Sequence, residues 1–237
     1  MRLYLLRVAT MDADTPVPSY LIRTDTGRNI LVDTGFSPAL VAAAREPDYQ
    51  GPPIRDYVPV IDHLATLGVR SGEIHTLIVT HLDPDHAGAT DAFPGAEIVI
   101  QRVQYAAARS SSDFRYSLAR GNWDAPGLRY RLVDGDTELV PGVTLIETSG
   151  HAPGHQSVLV RLSATGPVLL AIDAIGTVAA ADPETRAIHG FDLDAVAVRA
   201  STRKLRDLEA REGVALTIYG HDGPQWQTLR LAPDYYD

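Results

Sequence analysis

The sequence predicts an α/β or α+β domain in which two sheets lie between helices. Three observations carry this expectation. Strand-like apolar runs alternate with helical ones, β-rich stretches fall at the start and in the middle, and four hydrophobic runs end on side chains able to bind a metal. For 237 residues, globular scaling gives about 10,000 Å² of folded surface, so a substantial core is available. One domain over residues 1–237 is the simplest partition. Hydrophobic residues at 45% and charged residues at 22% exclude disordered, collagen-like and coiled-coil chains.

The elements follow in order. Leu3 to Val8, Tyr20 to Arg23 and Asn29 to Val32 read as strands, the last two joined by a turn at Thr26-Gly27-Arg28. Ser37 caps a short Ala-rich helix ending near Arg45, and the proline-rich stretch Glu46 to Pro59 is a loop. Val60, Ile61, Leu64 and Leu67 recur at helical spacing, with Gly68 as the stop. Ile74 to Thr80, Val143 to Thr148, Val168 to Ile172 and Val214 to Tyr219 are apolar strands. Just beyond their ends stand His81, His151, Asp173 and His221. Between them lie a short helix at Ala87 to Phe93, a strand at Glu97 to Ile100 and a helix at Arg102 to Arg109. Leu193 to Arg211 is the longest late helix, with Gly213 as its stop. Ser110 to Gly127 is polar and poorly periodic, and reads as a mobile or insertion-like segment.

Charge and cysteine content narrow the function. A net charge of −9 with no basic cluster argues against nucleic acid or an anionic membrane surface as partner. Nothing reads as a targeting signal, no apolar run is long enough to span a membrane, and a cytoplasmic setting is the default. The chain has no cysteine, which excludes disulfides, thiolate zinc sites and cysteine nucleophiles. A bound metal must therefore be held by His, Asp or Glu.

Such residues are concentrated in His81-Leu82-Asp83-Pro84-Asp85-His86, between a strand and a helix. A polar turn with Asp85 capping the following helix would explain one aspartate, not two histidines and two aspartates together. Gly150-His151-Ala152-Pro153-Gly154-His155 is a tight loop able to aim an imidazole inward. Asp173 directly follows a buried-looking strand, where a carboxylate needs a cation or several donors. Gly220-His221-Asp222-Gly223 repeats the strand–Gly–His theme. The remaining histidines, His63, His75, His155 and His189, read as surface or supporting residues.

Together these residues resemble the metallo-β-lactamase fold superfamily, and within it the N-acyl homoserine lactonase branch. Ile30 to Gly35, Thr80 to Ala89, Val140 to Val143, Gly150 to Ser157, Val168 to Ala174 and Tyr219 to Asp222 carry the resemblance. It implies a four-layer αββα sandwich of two mixed β-sheets flanked by helices. It also implies two divalent metal ions, with zinc expected. One would be held by His81, Asp83 and His151, the other by Asp85, His86 and His221, with Asp173 shared between them. The implied activity is lactone or ester hydrolysis by a metal-bridging hydroxide, with Asp85 as proton shuttle. The partner is then a small-molecule substrate, and a homodimer is allowed.

Two departures from the family pattern stand out. Asp83 occupies the position of the family's second histidine, which removes one unit of positive charge from the filled site and favours iron or manganese more than usual. Gly176 stands where the lactonases commonly place a carbonyl-polarising tyrosine, and Tyr105 and Tyr116 are the alternative suppliers. Tyr49, Tyr57, Phe114 and Trp123 would shape an apolar pocket. The competing readings are another ester, thioester or β-lactam as substrate, a redox di-iron protein, and a metal-binding homologue that has lost catalysis.

Overall fold

Alternating burial along the first strand sets the layering. In the computed structural model, which describes residues 1–237 (Ala13 by its backbone alone), β1 is Arg2–Thr10. Its Leu3 and Leu5 enter one core while Tyr4, Leu6 and Val8 enter another, as the two-residue period of a strand buried on both faces requires.

The first sheet continues through β2 (Pro16–Arg23), β3 (Asn29–Val32), β4 (Ile74–Ile78), β5 (Glu97–Gln101) and β6 (Arg129–Val133), in sequence order. Its first two pairings are antiparallel and the remaining three parallel. The second sheet holds β7 (Thr137–Val140), β8 (Val143–Glu147), β9 (Gln156–Leu162), β10 (Gly166–Ile172) and β11 (Leu216–Tyr219). They lie side by side in the order 7-8-9-10-11, and only β10 and β11 pair in parallel. Both sheets are therefore mixed.

The central core lies between the sheets. Leu3, Tyr20, Ile30 and Ile78 of the first sheet meet Leu145, Val158, Val168 and Ile218 of the second. The short helices α1 (Pro38–Ala43) and α2 (Val60–Thr66) accompany the first sheet. They are followed by α3 (Pro84–Ala87), α4 (Arg102–Ser110), α5 (Phe114–Ser117) and α6 (Arg120–Trp123). The outer face of this sheet is covered by Val60 and Leu64 of α2, Ala108 of α4, Tyr116 of α5 and Trp123 of α6. The long helix α7 (Ala195–Glu212) covers the second sheet through Leu205 and Leu208, and the short α8 (Gly223–Trp226) follows β11. Asp194 caps α7 by accepting from the amides of Val196 and Ala197, and Gly213 ends it in the left-handed conformation. Helix, sheet, sheet and helix form the four layers of the expected αββα sandwich. The accessible surface is 10162 Å², in line with the scaling expectation. Among the described residues, no helix is long and apolar enough to cross a membrane.

At one end the two sheets are tied together by polar contacts. The Gln156 amide N–H donates to the carbonyl of Thr80 (3.1 Å), and its side chain donates to Val79 (2.9 Å) and accepts from Gln101 (3.1 Å). This is the end at which β3, β4, β8, β10 and β11 finish, and it carries the candidate site.

The segment Ser110 to Gly127 differs from the sequence reading. It is neither insertion-like nor loose, because it holds α5 and α6 and buries Tyr116 and Trp123 completely or nearly so. Its helices are single turns, too short for any periodicity to register. The expected helix at Ala87 to Phe93 is also redistributed. Helix α3 starts earlier, at Pro84, and Thr90–Ala92 forms a separate 3₁₀ turn.

Candidate metal centre

Four strand ends deliver the donors. His81, Asp83, Asp85 and His86 follow β4, with Asp85 and His86 inside α3; His151 follows β8, Asp173 follows β10 and His221 follows β11. The structure brings all seven into one cluster. Donor atoms of His81, Asp83 and His151 lie within 4.8 Å of one another, as do those of Asp85, His86 and His221, and those of His81, His86 and Asp173.

Each histidine in the cluster is oriented from behind. His86 Nδ1 donates to Asp33 (2.8 Å), His221 Nδ1 to the carbonyl of Pro16 (2.8 Å) and His151 Nδ1 to Asp192 (3.3 Å). Thr80 Oγ1 gives its own proton to Asp33 (2.7 Å) and therefore accepts from His81 Nδ1 (3.1 Å). Every Nδ1 is thus spoken for, and every Nε2 points inward as a ligand-metal arrangement requires.

Inside the cluster the contacts are poor as hydrogen bonds and good as edges of a coordination polyhedron. His86 Nε2 lies 3.4 Å from Asp85 and 3.3 Å from Asp173. His151 Nε2 lies 3.3 Å from Asp83 and 3.4 Å from Asp173, and His221 Nε2 3.2 Å from Asp173. A tetrahedral ion with bonds near 2.05 Å puts its ligand atoms about 3.3 Å apart. The Nε2 atoms of His81 and His86 and Oδ1 of Asp173 are buried without a hydrogen-bond partner. Orphaned donor atoms at these separations fit divalent cations, one toward His81 and His151 and one toward His86 and His221, with Asp173 reaching both.

Electrostatics agree with this. Burial opposes charge on His151, but Asp173, Asp192 and Asp83 outweigh it and push its pKa up to about 9. His86, likewise opposed by burial, is raised well above the usual histidine range by Asp85, Asp173 and Asp33. Burial also opposes charge on Asp173, yet His221, His86 and His151 hold its carboxyl well below the usual range. Without metal, protons fill the space between these groups; cations binding there displace them.

Backbone shape aims the donors. Ile172 has φ 54° and ψ −134°, a conformation seldom adopted by a β-branched residue, and it turns Asp173 out of the strand end. His155, buried and kept neutral by burial and by His81, accepts from the amide of Asp173 (3.3 Å) and is a supporting residue. Gly150 sits at φ +138°, and a Cβ there would come within 2.3 Å of the Val198 amide nitrogen. Gly150→Ala is therefore expected to push the start of α7 off the His151 loop and destabilise the fold by about 2–4 kcal/mol. Thermal melting checks this, and a variant within 0.5 kcal/mol of wild type would contradict it.

Several site residues carried no sequence signal of their own. Asp192 and Arg115 lie on loops and short turns far along the chain from the residues they touch. Arg115 grips Asp83 through both oxygens, Nε to Oδ1 at 2.7 Å and Nη2 to Oδ2. The charge that Asp83 brings to the cluster is thereby matched by a guanidinium. Trp123 belongs to the core rather than to a pocket. The Tyr105 hydroxyl accepts from Arg109 (3.0 Å) and the Tyr116 hydroxyl from Gln104 (3.5 Å).

Comparison with known proteins gives consistent results. A family model described as the Metallo-beta-lactamase superfamily matches residues 13–221. An N-acyl homoserine lactonase from Bacillus sp is 34% identical over 94% of this chain and 87% of its own length. The N-acyl homoserine lactonase AttM of Rhizobium johnstonii is 34% identical over 100% of this chain and 98% of its own. The structure resembles a B. thuringiensis AiiA variant with N-decanoyl-L-homoserine at its active site, with TM-score 0.86 and 29% identity over 99% of this chain and 98% of that one. It resembles equally an N-acyl homoserine lactone hydrolase with N-hexanoyl-L-homoserine at its catalytic metal centre, with TM-score 0.86, 29% identity and the same coverage.

Proposed function

Because this chain belongs to the metallo-beta-lactamase superfamily, we propose that it is a metal-dependent hydrolase that opens the ring of N-acyl homoserine lactones. One observation carries the proposal: seven His and Asp donors converge with every imidazole Nδ1 tied back and every Nε2 turned inward. His81, Asp83 and His151 would hold one divalent cation, Asp85, His86 and His221 the other, and Asp173 would serve both. We propose zinc, which a set of four imidazoles and three carboxylates suits, with iron or manganese as the alternatives that Asp83 brings in. Bound there, the cations supply Lewis acidity toward the lactone carbonyl and bring the pKa of water near neutrality.

The chain's own residues do the rest. Asp85, whose side chain at 16% exposure is the most open of the three cluster aspartates, takes the proton of the attacking water. It returns that proton to the ring oxygen as the carbon–oxygen bond breaks, leaving an acyl homoserine with a free hydroxyl. A Cβ built at Gly176 would meet only His221 Cδ2, at 3.9 Å, so the space beside His221 is open at this point. Phe114, Phe191, Leu193 and Val196 are exposed on the segments that carry Arg115 and flank His151. They suit an apolar acyl chain.

The test is hydrolysis followed by pH drift after loading with zinc, manganese or iron(II), over lactones of several acyl lengths with a simple ester, a thioester and a β-lactam as comparators. Lactones should turn over fastest. No lactone hydrolysis with any of the three metals would overturn the proposal. Metal removal supplies a further expectation. A cation present at 100 times its Kd stabilises the fold by about 2.7 kcal/mol, worth about 5–10 °C in a chain of this size. Chelation should lower the melting temperature by that amount and abolish turnover, and zinc should restore both.

A further inference from the structure

The guanidinium of Arg115 occupies the flank of one cation subsite and not the other. Its Nε and Nη2 clasp both oxygens of Asp83, and Nη2 also lies 3.2 Å from His151 Nε2. Nη1 donates to the carbonyls of Phe191 (3.0 Å) and His151 (3.3 Å), which fixes the group in place at 13% exposure. Two of the three donors at the His81, Asp83 and His151 subsite therefore face a permanent cation. Among the described residues, the Asp85, His86 and His221 subsite has no arginine or lysine in its hydrogen bonds and ion pairs.

We infer that Arg115 acts as a built-in counter-cation that weakens divalent metal binding at the His81–Asp83–His151 subsite, so that the two subsites load in order, the Asp85–His86–His221 subsite first. The inference rests on the two-cation reading above. An incoming divalent ion must share the Asp83 carboxylate with a bidentate arginine, and it meets like-charge repulsion across a few ångströms of buried, weakly screened space. A carboxylate already accepting two charge-assisted hydrogen bonds has less electron density to donate to a cation. Asp83 in place of a second imidazole is thus a ligand whose strength is set by its neighbour. Arg115 is a positioning residue, and its effect is on occupancy rather than on the reacting atoms.

Calorimetric titration of zinc into metal-free protein tests this. The wild type should show two unequal steps, the second weaker than the first by on the order of tenfold or more. Arg115→Met and Arg115→Gln, which remove the charge, should tighten the weak step by a similar factor and leave the tight one unchanged. The glutamine can still bond the Phe191 carbonyl if the apolar variant fails to fold. Arg115→Lys, which keeps a charge without the fork, should stay close to the wild type. Two equal steps in the wild type, or neutral variants that bind the second ion no better or worse, would overturn the inference while leaving the two-cation reading intact. No binding by wild type or variants would instead overturn that reading itself.

Discussion

Asp173→Asn is expected to reduce lactone turnover by about 10³-fold and to leave the protein holding markedly less metal. Asp173 is the carboxylate that faces both halves of the cluster. Its oxygens lie 3.3 Å from His86, 3.4 Å from His151 and 3.2 Å from His221, and Oδ1 has no hydrogen-bond partner. An amide keeps the shape but loses the charge, and its NH₂ cannot coordinate. If the shared carboxylate contributes several kcal/mol of charge stabilisation, the rate falls tenfold for each 1.36 kcal/mol lost. The backbone argues the same way. Ile172 holds a left-handed φ of 54° at full burial, a strain of about 1–3 kcal/mol that a structural strand end has no reason to keep. Metal content by atomic emission, kcat against each lactone, and circular dichroism for the fold provide the check. Full metal content with wild-type turnover would refute a shared role for Asp173.

Much of this centre was legible because its donors are local or punctuated. His81 to His86 is a six-residue run of unusual chemistry, and His151, Asp173 and His221 each follow an apolar strand, so strand ends alone pick them out. The sandwich was legible for the same reason, since β1, β4, β8 and β10 are strong apolar runs. Weak periodicity hid the rest. Strand β6 buries only one residue outright, and β7 none, so neither stands out from a loop. Strand β9 is a buried run directly after a glycine- and histidine-rich loop, whose punctuation masks it. The support network was the least legible part. Asp192, Arg115 and the Pro16 carbonyl act on histidines and an aspartate to which only the folded chain brings them close. Long-range pairs between a charged side chain and an imidazole leave no local pattern. That is why Ser110 to Gly127 reads as loose in the sequence, although it delivers the guanidinium that faces Asp83.

Asp33 shows how far control of the site extends beyond the donors themselves, and its substitution carries the second large effect. The carboxylate is fully buried and satisfies three donors: the Thr80 amide (2.8 Å), the Thr80 hydroxyl (2.7 Å) and His86 Nδ1 (2.8 Å). Through Thr80 it also sets the proton position on His81. In Asp33→Asn one oxygen becomes an NH₂ that can only donate. The Thr80 amide can only donate to Oδ1, so the NH₂ takes the place of Oδ2, which faces both His86 Nδ1 and the Thr80 hydroxyl. His86 must then move its proton to Nε2, losing the lone pair aimed at the cation, and the Thr80 hydroxyl must turn to accept, which disturbs His81 as well. Zinc affinity and turnover should fall about 10–100-fold, with little change in fold, because asparagine tolerates the φ of 56° found here. Asp33→Ala should behave differently. It leaves the buried Thr80 amide and His86 without partners and strains the backbone, a loss of about 3–5 kcal/mol, or roughly 6–20 °C in melting temperature. The contrast is the test. Asparagine that melts like wild type but binds zinc poorly, beside alanine that melts early, identifies Asp33 as the residue that holds the histidine tautomers. Equal zinc affinity in wild type and Asp33→Asn would show that the tautomers are set elsewhere.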